Sequence, residues 1–155
     1  MKISIVAVGQ RLPEWVNDGV ADYVARFPAD FDVRVVEVKA EPRTGQPVER
    51  ILAAEAQRLQ AAIAQGSVIV ALDERGRDWT TQQLADQLQR WREDAERVAF
   101  VIGGPDGLDP AFKNAARVQL RLSSFTLPHA LARILLAEQL YRAWSILARH
   151  PYHRA

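Results

Sequence analysis

Apolar residues recur along this chain in two alternating rhythms. Residues 3–8 form a short, unbroken β-branched run ending at Gly9, and 67–72 and 98–102 repeat the plan, as expected of strands buried on both faces in a parallel sheet. Residues 31–38 and 118–122 alternate apolar with polar positions and predict two more strands with one exposed face. Between these runs the period lengthens to that of a helix. From 13 to 26, Trp15, Val16, Val20, Tyr23 and Val24 share one stripe behind a proline suited to a first helical turn. From 47 to 64, Ile51, Leu52, Ala56, Leu59 and Ile63 do the same, with Gly66 just past the end. Thr80 offers a hydroxyl cap to a helix carrying Leu84, Leu88 and Trp91. The last helix is predicted from about 128 to 149, and its apolar residues, from Leu131 through Leu147, cover more than one stripe. Such a helix is buried on several sides, and with one sheet available a contact between subunits is a natural second burial site.

Strands alternating with helices predict an α/β fold, a largely parallel sheet flanked by helices, with ligands at the carboxyl ends of the strands. Three strand-end segments stand out as loops: 72–77 (Leu-Asp-Glu-Arg-Gly-Arg), 103–108 (Gly-Gly-Pro-Asp-Gly-Leu) and 123–129 (Ser-Ser-Phe-Thr-Leu-Pro-His). No linker, internal repeat or low-complexity stretch divides the chain, so residues 1–155 are expected to form one domain.

Composition narrows the classes. At 155 residues and 48% hydrophobic, the chain can build a core of ordinary size. The absence of cysteine excludes disulfides, thiolate zinc sites and a thiol nucleophile. No apolar run approaches the roughly 18 residues of a membrane span, and the start is too quickly polar for a signal peptide, so a cytoplasmic protein without membrane association is expected. A net charge of +1 argues against uniform cationic coating of nucleic acid, yet it conceals an asymmetry. Residues 1–116 carry 14 basic and 18 acidic groups, whereas 117–155 carry 6 basic and 1 acidic group together with all three histidines.

Each loop has a chemical and a plain reading. Gly103-Gly104-Pro105 lets backbone approach a ligand closely, or makes only a tight turn; it fits neither a dinucleotide fingerprint nor a phosphate loop. Asp73, Arg75 and Arg77 suit a charged clamp or a merely solvated loop. Ser123, Ser124 and Thr126 place three hydroxyls beside Pro128 and His129, for a polar ligand or as a capping segment. Glu138 and Arg142, spaced i,i+4, read as a local ion pair or as two groups lining a pocket. The tail His150-Pro151-Tyr152-His153-Arg154 suits stacking on an unpaired base and contact with phosphate, or a frayed terminus. A metal site at its histidines is rejected, because no acidic or thiolate partner lies nearby and Pro151 breaks the helix.

Across nearly its whole length the sequence resembles the RlmH (YbeA-type) family of SPOUT RNA methyltransferases. The likeness lies in residues 5–9 with 13–16, in 23–28, 72–77 and 102–108, and most specifically in 122–129 and 140–154. One departure is Arg77, where the family often has Lys; the charge is kept but the geometry of a specific contact changes. The resemblance implies an α/β fold whose C-terminal part is threaded as a trefoil knot, and N3-methylation of a pseudouridine in large-subunit ribosomal RNA, within the ribosome. It implies S-adenosyl-L-methionine bound bent in the knot, at Leu72, Gly103, Gly104, Leu122, Ser123, Ser124, Phe125, Thr126 and Leu127. It also implies a homodimer with an active site shared between subunits. On that basis Glu138, His129 or a bound water is expected to take the imide proton, Arg142 and Arg154 to orient phosphate or base carbonyls, and Tyr152 or His153 to stack. A SPOUT enzyme of another RNA base or of transfer RNA, and an assembly factor without turnover, remain the alternatives.

Overall fold

The computed structural model describes residues 1–154. The chain runs β1 (Lys2–Val8), α1 (Glu14–Val24), β2 (Asp32–Val38), α2 (Val48–Ala62), β3 (Val68–Asp78), α3 (Thr81–Glu93), β4 (Val98–Ile102), α4 (Pro110–Ala115), β5 (Val118–Arg121), α5 (His129–Leu147) and a final 3₁₀ turn, Pro151–Arg154. The five strands form one sheet in the order β2-β1-β4-β3-β5, and every pairing is parallel. The expected α/β architecture is present.

Strand alternation sends side chains into two cores. Ile3, Ile5 and Ala7 of β1 face one way, toward Leu84, Leu88 and Trp91 of α3 and Leu136 and Leu140 of α5. Val6 and Val8 face the other, toward Leu59 of α2 and Phe112 of α4. β1 and β4 are thus covered on both faces, which is why their sequences are continuous apolar runs. α5 packs between α1 and α3, and this second neighbour accounts for much of its broad apolar surface. Leu131 and Leu135 on α5 and Trp15 on α1 are nevertheless left exposed.

Several boundaries differ from the sequence reading, each for a local reason. Pro13, Pro47 and Pro128 stand in extended conformation just before their helices, not inside the first turn. α5 stops at Leu147 because Arg149 turns left-handed (φ 56°) and the His150 amide closes onto the Ser145 carbonyl ahead of Pro151. The segment 73–77, expected as a loop, belongs to β3. Leu72 and Arg77 both align with Leu120 of β5, so residues 73–76 bulge outward and the ladder then resumes at Asp78–Arg121. α4 escapes a periodicity reading because six residues are under two turns; its signal is chemical, the Asp109 carboxylate accepting from the Phe112 amide ahead of Pro110.

Candidate active site

The carboxyl ends of β3, β4 and β5 enclose a cavity of about 770 Å³. Its walls come from the three predicted segments: Leu72 to Arg75 of the bulge, 102–108 after β4, and 120–123 with 125–129 after β5. Parallel strands deliver all three to one edge of the sheet. Leu72, Gly103, Gly104, Leu122, Ser123, Phe125, Thr126 and Leu127 therefore meet around one space, whereas Ser124 does not line it.

Two glycines shape this cavity. A Cβ on Gly103 would lie 2.5 Å from the Gly107 carbonyl oxygen, so the turn folds back on itself without room for any side chain. The Gly107 amide donates to the Gly104 carbonyl at 3.0 Å and Gly107 sits at φ 79°. The tight turn is present, and it sets the 103–107 backbone on the cavity wall. Leu72, Ile102, Leu108 and Leu122 supply apolar wall, and the Lys113 ammonium pairs with Asp73 at 3.3 Å beside it. With Asp73, Glu74, Arg75, Asp106 and Arg121 also on the lining, the walls fit an extended ligand that has both an apolar part and polar or charged edges. Ser123 Oγ already accepts from the Phe125 amide at 2.9 Å, while the Phe125 ring is 81% exposed.

His129, the first residue of α5, lies on the wall between this cavity and a smaller one of about 420 Å³. Burial, reinforced by the charges of Arg133 and Arg43, holds its pKa below the ordinary imidazole value, so the ring is neutral near pH 7 and able to accept a proton. Arg133, one turn on, is buried and anchors α5 to the sheet. It donates to the carbonyls of Val8 (3.1 Å) and Gly9 (2.8 Å) and pairs with Glu37 at the end of β2.

The remaining candidates gather elsewhere. Glu138 lies nine residues beyond His129, about 13 Å along the helix axis. Its Oε1 accepts from Arg142 Nε (2.8 Å) and from the Tyr152 hydroxyl (3.1 Å), and its Oε2 from Gln139 (2.8 Å). The ion pair is therefore local, and this carboxylate is already held by three side chains. The Tyr152 ring stands edge-on to Tyr141 with centroids 4.7 Å apart, and the Arg142 guanidinium lies over it at 4.8 Å. Its hydroxyl also meets that of Tyr23 at 3.4 Å, and burial together with these partners pushes the phenol pKa well up, so it stays protonated. His153 Nδ1 is buried with no hydrogen-bond partner among the described residues, and Arg154 is exposed. Within one protomer, then, the structure brings His129 to the cavity and leaves Glu138, Arg142, Tyr152, His153 and Arg154 around the far end of α5.

Sequence reasoning gave no role to Arg43, Glu55, Gln10, Arg26 or Arg133. The first two form a partly buried pair at 2.9 Å behind the glycine turn, and Arg26 stacks over the Tyr23 ring at 4.6 Å. Of these only Arg133 carried a signal, as a lone charge on the apolar side of the last helix. Among the described residues no three His, Cys, Asp or Glu side chains converge as metal ligands, and no helix is long and apolar enough to cross a membrane.

An all-parallel sheet with a cavity built from the loops after its last three strands defines a class, and comparison with known proteins agrees. The profile of the family described as "Predicted SPOUT methyltransferase" matches residues 1–153. The ribosomal RNA large subunit methyltransferase H of Burkholderia ambifaria (strain MC40-6) is 55% identical over 156 residues, covering 100% of both chains. That of Albidiferax ferrireducens is 57% identical over 154 residues, covering 99% of each. Among solved structures, a probable methyltransferase from Bordetella pertussis Tohama I superposes with a TM-score of 0.60 at 21% identity, covering 92% of this chain and 93% of that one, a likeness of fold. This chain belongs to the SPOUT methyltransferases and, within them, to the ribosomal RNA large subunit methyltransferase H family.

Proposed function

We propose that this protein, in the cytoplasm and as a homodimer, methylates N3 of a pseudouridine in large-subunit ribosomal RNA within the ribosome, using S-adenosyl-L-methionine, and that residues 1–155 act as one catalytic domain. The observation that carries this reading is the junction of a 770 Å³ strand-end cavity with a neutral, half-buried histidine on its wall. When bound, the cofactor supplies an electrophilic methyl group on a sulfonium sulfur. The apolar wall of Leu72, Ile102, Leu108 and Leu122 suits its adenine, and the closed 103–107 turn and the 122–127 segment offer backbone groups to its polar edges.

Displacement at a sulfonium carbon asks the protein mainly to align nitrogen and methyl and to exclude competitors. The imide proton must also leave. His129, held neutral at the cavity wall, accepts it; Glu138, already saturated by Arg142, Tyr152 and Gln139, serves instead to hold the tail in place. Because the tail cluster lies along α5 from the cavity, a partner subunit has to deliver it there, and exposed Trp15, Leu131 and Leu135 offer apolar surface for that contact. Arg154, exposed at the end of the tail, then meets phosphate, and His153 offers its partly exposed ring for stacking.

A trefoil thread is part of the same reading. β5 itself runs so close to the β3 bulge that a Cβ on Gly76 would lie 2.7 Å from the backbone of Gln119 and Leu120, and beyond β5, at one edge, the chain crosses the strand ends to anchor Arg133 on β1 and β2. Calorimetry with S-adenosyl-L-methionine, paired with mass-spectrometric mapping of ribosomal RNA from cells with and without the protein, tests the function. Binding plus loss of one methyl on a large-subunit pseudouridine is expected. No binding would overturn the enzymatic reading, and a methyl lost from another base or from transfer RNA would replace the substrate.

A further inference from the structure

The smaller cavity, about 420 Å³, has no occupant in the reading above. β1 and β4 are neighbours in the sheet, yet the connection leaving β1 runs to α1 on one face and the one leaving β4 runs to α4 on the other. Connections that part in this way open a crevice at the strand ends, the place where open α/β sheets receive ligands. Val8 and Gly9 at the end of β1, and Ala40 and Pro42 beyond β2, form its floor and one side. Pro105 and His129 form the wall it shares with the larger cavity.

The lining selects a flat, uncharged occupant. Val8, Leu12, Ala40, Pro42 and Pro105 are apolar. Arg43 pairs with Glu55 at 2.9 Å and Asp106 at 3.2 Å, its remaining Nη2 is buried behind Gly104 out of reach of an occupant, and Glu41 adds a carboxylate on the same side, so a carboxylate or phosphate finds no net positive charge here. Gln10 stands exposed at the mouth, and its side-chain amide makes no hydrogen bond among the described residues. Gly9 before it takes φ 116°, open to glycine without cost, and Arg11 after it is held left-handed at φ 58°, local strain of the kind that persists where it positions a functional group.

We propose that this smaller cavity receives the flipped-out target nucleobase, with Gln10 reading its free edge and His129 at the side toward the methyl donor. The inference rests on the methyltransferase reading. In that pose the N3–carbon bond forms as the sulfur–carbon bond breaks, and the N3 proton passes to the His129 imidazole. Pseudouridine presents N1–H beside the C2 carbonyl, a donor–acceptor pair that one amide matches with its own oxygen and NH₂. Uridine has its sugar on N1 and lacks that donor, so Gln10 would also carry the choice between the two bases.

The test compares Gln10→Leu, a surface change, with Ala40→Phe, which fills the cavity. Cofactor affinity is measured by calorimetry with S-adenosyl-L-methionine alone, and single-turnover methylation on ribosomes from cells lacking the protein, with and without the pseudouridine. Both variants are expected to bind cofactor as the unmodified protein does, while Gln10→Leu methylates pseudouridine on the order of ten-fold more slowly and loses its preference over uridine. Ala40→Phe should lose at least as much rate. Unchanged rates in both variants would overturn the pocket assignment. So would a matching loss of cofactor affinity in the natively melting Gln10→Leu protein, which would give the cavity to the cofactor's amino-acid arm. Failure of the unmodified protein to bind cofactor would instead overturn the methyltransferase reading itself.

Discussion

His129 and Glu138 occupy one helix yet face opposite demands. Burial and two neighbouring arginines keep the imidazole uncharged, whereas the carboxylate oxygens are occupied by the donors of Arg142, Tyr152 and Gln139. A base must be both free and unprotonated, and only the histidine satisfies both. The methylation rate should therefore rise with pH through a value below the ordinary imidazole pKa, because the folded environment lowers it and the neutral form is the active one. Above that value it should level off. His129→Gln should remove this acid limb and slow single-turnover methylation roughly 100-fold or more. An acid limb that survives in the variant would place the base elsewhere. The family resemblance nominated both groups but could not choose between them, since the Tyr152 hydroxyl reaches Glu138 only once the tail has folded back on α5.

At the level of elements, continuous apolar runs were legible as buried parallel strands, and the 3.6-residue stripes as helices packed on them. The bulge in β3 was not. A charged segment such as 73–77 carries no hydrophobic period, and it becomes strand only because β5 arrives alongside and Leu120 aligns with both Leu72 and Arg77. Gly76 is the hinge of that arrangement. Its missing side chain lets the backbone of Gln119 and Leu120 pass at a distance no Cβ tolerates, and backbone cannot yield as a flexible side chain can. Gly76→Ala should cost about 3 kcal/mol of stability, at the upper end for overpacking, and weaken cofactor affinity in parallel because Leu72 to Arg75 wall the cavity. Denaturant melts with calorimetry check both; an unaltered melt would mean that the strands separate there at little cost.

The whole molecule revises the meaning of the C-terminal charge. Of the six basic residues after 116, Arg117 pairs with Glu96, Arg121 with Asp78, Arg133 with Glu37 and Arg142 with Glu138. Arg149 and Arg154 are exposed and form no ion pair among the described residues. The basic segment is thus a short tail patch, and Arg149→Ala with Arg154→Ala should reduce the salt dependence of RNA affinity by about one slope unit per arginine per site, leaving cofactor affinity salt-insensitive. Equal salt sensitivity of both ligands would count against it. A shared site makes a sharper forecast. A His129 variant and an Arg154 variant, each inactive alone, should recover roughly a quarter of the activity when mixed as random dimers, since half the dimers hold one intact site. No recovery would mean that each protomer works with its own tail.

By itself the sequence determined the strand and helix pattern apart from α4 and the β3 bulge, the parallel sheet, the three segments that meet at its carboxyl edge and the family, because these follow from local periodicity, turn chemistry and motifs contiguous in the chain. Only the tertiary structure decided that Glu138 is engaged, that His129 is neutral, that four of the C-terminal arginines are spent on internal partners, and that a second cavity opens between β1 and β4. Those outcomes depend on which groups distant in the chain come within hydrogen-bonding reach and how much water they lose, quantities set by packing and not encoded in any single stretch of residues.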